Sequence, residues 1–201
     1  EQESPAQQHY MDTARKLSKA RRSAAKTLSQ QVQKQLTALG MKAAQLDARL
    51  SDCSPTLDGL EEVEFLFTAN PGQPLKPLGK VASGGELSRV SLAIQVICAR
   101  NLTVPSLVFD EVDVGVGGGV AEIVGRLLRE LGQHAQVLCI THQPQVASQG
   151  HQHWQVHKIQ GDDTTHTRIQ GLDETARVEE LARMLGGVEI TESTRNHAKE
   201  M

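Results

Sequence analysis

The chain has 201 residues, of which 38% are hydrophobic and only 2% are aromatic, so its core must be built from aliphatic side chains. Its formal net charge is −3, and its three cysteines, none in a CxxC spacing, exclude a disulfide framework and indicate a reducing compartment. No apolar run approaches the roughly 18 residues of a membrane helix, so we expect a cytoplasmic protein with no membrane partner.

The first part of the chain reads as one long helix. Residues 13–39 contain no Pro or Gly, and their apolar side chains recur at spacings of three and four. This narrow stripe, rich in Ala, resembles a coiled-coil seam, and Gly40 is a plausible helix stop. We therefore predict a coiled-coil arm over residues 1–40, followed by a separate globular lobe over residues 41–201.

Paired strands and a closing helix are predicted in the lobe. Apolar residues alternate with polar ones over residues 44–50 and 63–67, which is typical of half-buried strands. Residues 153–159 and 165–169 resemble a second, polar hairpin with its turn at 161–163. A helix over residues 174–185 follows it.

Between these pairs lies an α/β pattern. Apolar spacing predicts a largely buried helix over residues 87–100, a short strand over 106–109, a helix over 120–131 and a second buried strand over 136–140. Two apolar strands joined by a helix form a parallel unit with a right-handed crossover. Its ligand is expected beyond the carboxyl ends of the strands.

An acidic pair follows the first of these strands. Asp110 is placed to hold Mg²⁺, directly or through its water shell, because Mg²⁺ prefers oxygen ligands and keeps several waters. Glu111 is placed to act as the general base that orients or deprotonates a water attacking a γ-phosphate. Taken alone, the pair also fits an acidic turn after a buried strand.

A small-residue loop precedes the buried helix. Ser83, Gly84 and Gly85 form a nest of backbone N–H groups at a helix amino terminus, where an anion such as phosphate is favoured. Glu86 lies three residues after Ser83, so the same residues also fit a capping box with no ligand.

The third motif is a histidine after the second parallel strand. His142 is predicted to reach the same sheet edge as the acidic pair and to hydrogen-bond a γ-phosphate or the attacking water. A histidine in a polar loop is the alternative for the residue alone. The order of the three motifs favours an ABC-type ATPase, although no Gly-x-x-x-x-Gly-Lys-Ser/Thr phosphate loop occurs in the chain.

Longer segments carry a closer resemblance. They are residues 70–72, 80–89, 109–115, 141–147 and 180–187. Together they resemble the carboxyl-terminal head of the RecN family, SMC-like proteins of bacterial DNA double-strand break repair and recombination. The resemblance implies an α/β fold, the carboxyl-terminal half of an ABC/SMC-type P-loop ATPase head, with a parallel sheet, flanking helices and a preceding coiled-coil helix.

The same resemblance implies a composite ATP site. The phosphate loop would lie in the amino-terminal half of the head, so we expect this chain alone to bind ATP poorly and to hydrolyse none. ATP would be sandwiched with Mg²⁺ between two heads of a homodimer. Ser83 and Gly85 would contact nucleotide on the opposite head, and Asp113 would lie in the loop that faces it.

A basic run on the predicted arm suggests a DNA partner, in keeping with a place at the bacterial nucleoid. It comprises Arg15, Lys16, Lys19, Arg21, Arg22 and Lys26. These side chains could contact DNA phosphates, and a solvated helix face is the alternative.

Three other classes of protein share part of this pattern. Another SMC or Rad50-like head is one, and an ABC transporter subunit is disfavoured because it lacks the long helix before the signature. A non-catalytic scaffold for DNA or protein is a third, and the intact Ser83, Asp110, Glu111 and His142 weigh against it.

Overall fold

The computed structural model describes residues 3–70, 72–81, 83–99, 104–160, 165–187 and 190–201. The chain divides into two compact units, Glu1–Cys98 and Ala99–Met201. Within the described part of the chain, no helix combines the length and the apolar character that a membrane crossing requires.

The first unit opens with helix α1, which spans Glu3–Ala38 and so begins well before the predicted start at residue 13. Pro5 is compatible with this early start because proline is tolerated in the first turn of a helix. The helix ends as predicted. Gly40 adopts a φ of 80°, and the N–H of Met41 donates to the carbonyl of Leu36 over 2.8 Å, which closes the last turn.

The apolar stripe of α1 changes character along the helix. Val32, Leu36 and Leu39, at its carboxyl end, are fully buried, whereas Leu17 is 40% exposed. In this unit α1 packs against two strands and a second helix. Near its carboxyl end the stripe is therefore a core face, and a coiled-coil role stays a prediction for the residues before it.

The two strands confirm the first predicted pair. Strand β1 (Gln45–Thr56) and strand β2 (Gly59–Thr68) are antiparallel, with Leu46 opposite Phe67 in the register, and both of these side chains are buried. A two-residue strand, β3 (Lys76–Pro77), extends the sheet beside β2.

Helix α2 (Gly84–Cys98) follows a short 3-10 helix at Leu78–Lys80. It begins three residues before the predicted start at residue 87, and residue 100 at the predicted end lies outside the described residues. Val90, Leu92 and Ala93 are fully buried, but the residues that follow them are half-buried. The helix therefore buries one face rather than most of its surface.

The second unit contains the predicted parallel pair. Strand β4 (Ser106–Phe109), helix α3 (Gly118–Leu131) and strand β5 (Gln136–Cys139) follow one another, and the two strands pair in parallel from Ser106 with Gln136 to Phe109 with Cys139. The predicted order of strand, helix and strand and the parallel pairing are confirmed. Strand β5, predicted to be buried, is instead exposed or half-buried at each of its residues.

The rest of this unit is a hairpin with helices on either side of it in sequence. Helix α4 (Pro144–Ala147) precedes the antiparallel strands β6 (Trp154–Gln160) and β7 (Thr165–Gly171), and the predicted turn at 161–163 lies outside the described residues. Helices α5 (Glu174–Gly186) and α6 (Glu192–Glu200) complete the unit.

Three helices of the second unit share a small core. Buried side chains of α4, α5 and α6 meet in it, and half-buried aliphatic residues pack around them. The buried members are Ala147, Leu181, Ala182 and Ala198. Sequence analysis predicted α5 but neither α4 nor α6.

One face of the parallel sheet is apolar and exposed. Val108 on β4 is 68% exposed, its partner Leu138 on β5 is 50% exposed, and Ile140 just beyond β5 is 60% exposed. Parallel sheets are ordinarily covered on both faces. We call these three residues the open face, and the described part of the chain leaves it uncovered.

Candidate functional site

Two loops leave the parallel sheet at the same edge. The last register pair joins Phe109 to Cys139, and the N–H of Ile140 donates to the carbonyl of Phe109 over 2.9 Å. The chain after β4 and the chain after β5 therefore start side by side. This confirms the sheet-edge position that the sequence predicts for Asp110 and His142.

The acidic pair stands at the start of the first loop. Asp110 and Glu111 are both exposed, and one carboxylate oxygen of Asp110 accepts the backbone N–H of Glu111 over 2.9 Å. Glu111 adopts a φ of 59°, in the left-handed region that side chains other than Gly rarely enter. This turn places the two successive carboxylates at the exposed edge of the sheet.

Asp113 is buried at the same edge of the sheet. It is 1% exposed, and its Oδ2 accepts the hydroxyl of Thr141 and, over 3.2 Å, the backbone N–H of His142. The same oxygen lies 3.6 Å from Nδ1 of the His142 ring. The carboxylate is thus engaged within the chain, because its loop folds back onto the loop after β5. That the same loop faces an opposite head stays a prediction.

Gln143 also connects the loop after β4 to the loop after β5. The side-chain Nε2 of Gln143 donates to the carbonyl of Val116 over 3.0 Å and lies 3.3 Å from Nε2 of His142. The His142 side chain itself is 65% exposed. We call the set formed by Asp113, Val116, Thr141, His142 and Gln143 the loop junction.

Sequence reasoning gave no role to Thr141 or Gln143. The hydroxyl of Thr141 donates to Asp113 and also accepts the backbone N–H of Gln143 over 3.0 Å. A signal was present in the sequence, because a hydroxyl and an amide flank a histidine just after an apolar strand. Their partners are 27 and 28 residues away along the chain, so no local pattern identifies them.

The electrostatics of this edge favour a cation. Burial, followed by the negative charges of Asp113 and Asp110, raises the pKa of the Cys139 thiol to about 12. The thiol therefore stays protonated and neutral at physiological pH. The two carboxylates that raise this pKa also make a site for Mg²⁺ electrostatically reasonable.

The donor set limits how Mg²⁺ could be held. Among the described residues, no group of three His, Cys, Asp or Glu side chains is placed to hold a metal ion. Mg²⁺ is commonly bound through one or two carboxylates, several waters and the phosphates of a substrate. Asp110 fits that kind of site as a single carboxylate.

The small-residue loop lies in the first unit. Ser83 and Gly84 are exposed and Gly85 is buried, all at the amino terminus of α2. The Oγ of Ser83 accepts the backbone N–H of Glu86 over 3.4 Å, so Ser83 caps the helix as the capping-box alternative predicts. A cap and an anion site are compatible, because the other N–H groups of the first turn have no partner within the helix.

Two of the basic side chains of α1 are used within the first unit. Arg21 donates to the carbonyl of Asp58 over 2.6 Å, and Arg22 donates to the carboxylate of Asp52 over 2.8 Å. Both guanidinium groups also lie within 4.0 Å of Glu61, a carboxylate that is 5% exposed. Arg21 and Arg22 therefore join the helix to the β1–β2 hairpin.

The other four basic residues of the run have exposed side chains. Arg15, Lys16, Lys19 and Lys26 are exposed, and Arg15 lies 3.6 Å from the carboxylate of Asp12 one turn before it. An exposed ion pair of this kind is worth little. These four side chains are accessible to a partner.

Comparison with known proteins indicates one family. The chain is 49% identical to the DNA repair protein RecN of Vibrio cholerae, over 96% of this chain and 35% of the relative. It is 51% identical to RecN of Xylella fastidiosa strain Temecula1, over 94% and 34%, and 40% identical to RecN of Bacillus subtilis, over 94% and 35%. The chain thus spans about a third of the length of these relatives. No family model matches it.

Solved structures agree on the fold. The Smc head domain with a coiled coil and joint from Pyrococcus yayanosii matches with a TM-score of 0.54 and 19% identity, over 81% of this chain and 29% of that one. The Smc head domain with an extended coiled coil from Pyrococcus furiosus, bound to the C-terminal domain of ScpA, matches with a TM-score of 0.51 and 19% identity, over 82% and 39%. The predicted α/β head fold is confirmed.

Proposed function

Because the chain is related in sequence to the carboxyl-terminal part of the RecN DNA repair proteins, we propose that it is part of an ATPase head that acts in bacterial DNA double-strand break repair and recombination at the nucleoid. One observation carries the proposal. The edge of the parallel sheet holds an exposed Asp-Glu pair after β4 and an exposed histidine after β5, and the loop junction ties the loops that carry them.

Each residue of that edge has a role in ATP hydrolysis. Bound Mg²⁺ neutralises charge on the phosphates of ATP, and Asp110 would hold it together with its waters. Glu111 would accept a proton from the attacking water, which is the role its exposed carboxylate suits. His142 would hydrogen-bond that water or the γ-phosphate.

The proposed ATP site is completed by an amino-terminal part of the same head. The chain contains no phosphate loop, and the described residues leave the open face of Val108, Leu138 and Ile140 uncovered. Covering about 100 Å² of apolar surface stabilises by roughly 2.5 kcal/mol, so a layer packed there would add substantially to stability. On this proposal the chain alone hydrolyses no ATP.

Two heads would then sandwich the nucleotide. The amino terminus of α2 exposes Ser83 and Gly84, and its backbone N–H groups suit a γ-phosphate bound on the opposite head. Gly85 and Glu86 would shape that loop. Nucleotide binding would therefore drive homodimerisation of the heads, and hydrolysis would release them.

DNA is the proposed partner of the exposed basic side chains on α1. Replacing Lys16, Lys19 and Lys26 together by Glu should weaken DNA binding on the order of tenfold or more and flatten its salt dependence, because each phosphate contact releases counterions. The matched control replaces Lys34, an exposed lysine further along α1, by Glu. Equal binding by the triple variant and wild type would remove α1 from the DNA site.

The ATPase proposal is tested by turnover of the chain joined to a RecN amino-terminal part. Turnover should require both parts, and Glu111→Gln should lower kcat at least about 100-fold, the lower end of the usual contribution of a general base. ATP binding and head dimerisation should persist in that variant. The control is Glu130→Gln, which changes an exposed glutamate of α3.

The scaffold alternative predicts a different result. A folded complex that binds ATP tightly but shows no turnover would contradict the ATPase assignment. It would also shift the interpretation to a head that uses nucleotide only to engage a second head or a partner.

A further inference from the structure

We propose that the loop junction fixes His142 as the tautomer that carries its hydrogen on Nδ1, with Asp113 and Gln143 as positioning residues. The consequence for ATP turnover rests on the proposed function. The assignment of the ring hydrogen rests on the geometry of the second unit alone. It also gives a role to two residues, Asp113 and Gln143, for which the sequence suggested another role or none.

The Gln143 amide has a defined orientation. Its Nε2 lies 3.0 Å from the carbonyl oxygen of Val116, which can only accept a hydrogen bond. Exchanging the amide oxygen and nitrogen would place two acceptors against each other, so the nitrogen must occupy this position. The amide group has a second N–H, and the same nitrogen lies 3.3 Å from Nε2 of His142. Nε2 is therefore the acceptor of that contact and carries no hydrogen.

The opposite side of the ring favours the same tautomer. Oδ2 of Asp113 lies 3.6 Å from Nδ1 of His142, and an ionised carboxylate only accepts hydrogen bonds. A hydrogen on Nδ1 faces this oxygen favourably, whereas a lone pair there would face negative charge. The donor group of Gln143 and the acceptor oxygen of Asp113 therefore both favour the His142 tautomer with its hydrogen on Nδ1.

Asp113 is held in that position by other contacts. Its Oδ2 accepts the hydroxyl of Thr141 and the backbone N–H of His142, and its side chain is 2% exposed. A buried carboxylate with these partners has little freedom to turn away. Thr141 therefore positions Asp113, and Asp113 positions the ring.

The tautomer decides between the two roles that the sequence leaves open for His142. A neutral ring with a bare Nε2 accepts a hydrogen from water and has no hydrogen there to donate to a phosphate oxygen. We therefore assign the exposed edge of the ring to the attacking water, with Gln143 occupying Nε2 until the water replaces it.

Nitrogen-15 NMR of the histidine rings tests the assignment directly, in the chain completed with its amino-terminal part. His142→Asn identifies the His142 signals by their loss. We expect Nδ1 to carry the hydrogen and Nε2 to be bare in the wild type. In Asp113→Asn, whose amide can donate to Nδ1, the hydrogen should move at least in part to Nε2. A wild-type ring with its hydrogen on Nε2 overturns the proposal.

Kinetics separate positioning from a merely structural role. Asp113→Asn and Thr141→Val should each lower kcat on the order of tenfold, with KM for ATP changed less than about twofold, since proton-transfer geometry affects the transition state more than binding. Thr141→Ser keeps the hydroxyl and should restore most of kcat. The proposal is overturned if only KM for ATP changes, or if Thr141→Ser does not restore kcat.

The two proposals fail separately. If the completed head hydrolyses no ATP, the proposed function is wrong, while the nitrogen-15 spectra still report which ring nitrogen carries the hydrogen. If turnover is normal in Asp113→Asn and Thr141→Val, the ATPase assignment stands and the positioning role is wrong.

Discussion

The sheets of the two units are covered to different extents. In the first unit, α1 packs on the antiparallel β1–β2 pair, and its side chains Val32 and Leu36 are fully buried. In the second unit, the parallel β4–β5 pair leaves Val108 and Leu138 largely exposed on one face. An antiparallel sheet is stable with one face toward water, whereas a parallel sheet is ordinarily covered on both.

On the proposed function, the catalytic residues belong to the second unit, whose sheet is only partly covered by the described residues. Asp110 and Glu111 follow β4, and His142 follows β5. The loop junction nevertheless satisfies its polar groups within the chain. A single binding event by an amino-terminal part would thus complete both the core and the ATP site, which links folding to activity.

The largest expected effect follows from placing a charge on the open face. Leu138→Glu should weaken binding of the amino-terminal part at least about 1,000-fold, or about 4 kcal/mol, because an unpaired carboxylate would be buried beneath it. Titration of the two parts by calorimetry measures this. Val63→Glu is the matched control, since it places the same charge on an exposed strand residue of the first unit. Binding within twofold of wild type would mean that the open face stays in water.

The complementary change tests the core of the first unit. Leu36→Ala should lower the free energy of local opening by about 3 kcal/mol, because it removes a fully buried side chain and leaves a cavity. Hydrogen exchange of the β1 and β2 amides reports this locally. This decrease in the free energy of local opening should be the same with and without the amino-terminal part.

A control on the same stripe sharpens this test. Leu17→Ala changes a side chain that is 40% exposed and should cost less than about 1 kcal/mol. Equal costs at positions 17 and 36 would show that the stripe is buried along its whole length, as a coiled-coil partner would bury it.

The third prediction links packing in the second unit to its loops. A Cβ on Gly125 of α3 would lie 3.0 Å from the carbonyl oxygen of Gln145 and 3.1 Å from Cα of Val146, both in α4. Gly125→Ala should therefore cost about 1 to 3 kcal/mol, less the gain of about 1 kcal/mol in helix propensity.

Gly125→Ala should also affect catalysis. Helix α4 follows Gln143 directly, so a shift of α4 would move the loop junction. We expect kcat of the completed head to fall along with stability. Gly119→Ala is the control, since no atom lies within 4 Å of its added Cβ. Full activity in a destabilised Gly125→Ala protein would show that the junction does not depend on α4.

The sequence predicts some of these features better than others, for physical reasons. Strands β4 and β5 are short apolar runs followed by distinctive residues, so their type and their shared edge could be inferred locally. Helix α6 buries only Ala198, so it has no apolar periodicity to detect, and its sequence signals are confined to its ends, such as the capping Thr191. The contact between Asp113 and His142 joins residues 29 positions apart and depends on how two loops fold. No pattern in one segment encodes it.

The smallest expected effect concerns a local feature that needs no partner. Asp173 precedes α5, and its Oδ1 accepts the backbone N–H of Ala176 over 2.8 Å. Asp173→Ala should lower the local stability of α5 by about 1 kcal/mol, whereas Asp173→Asn, which keeps a capping oxygen, should cost much less. Hydrogen exchange in the first turn of α5 measures both. Because the cap is complete within the chain, its cost should not change when the amino-terminal part binds. A cost that grows on binding would mean that α5, like the open face, depends on the missing layer.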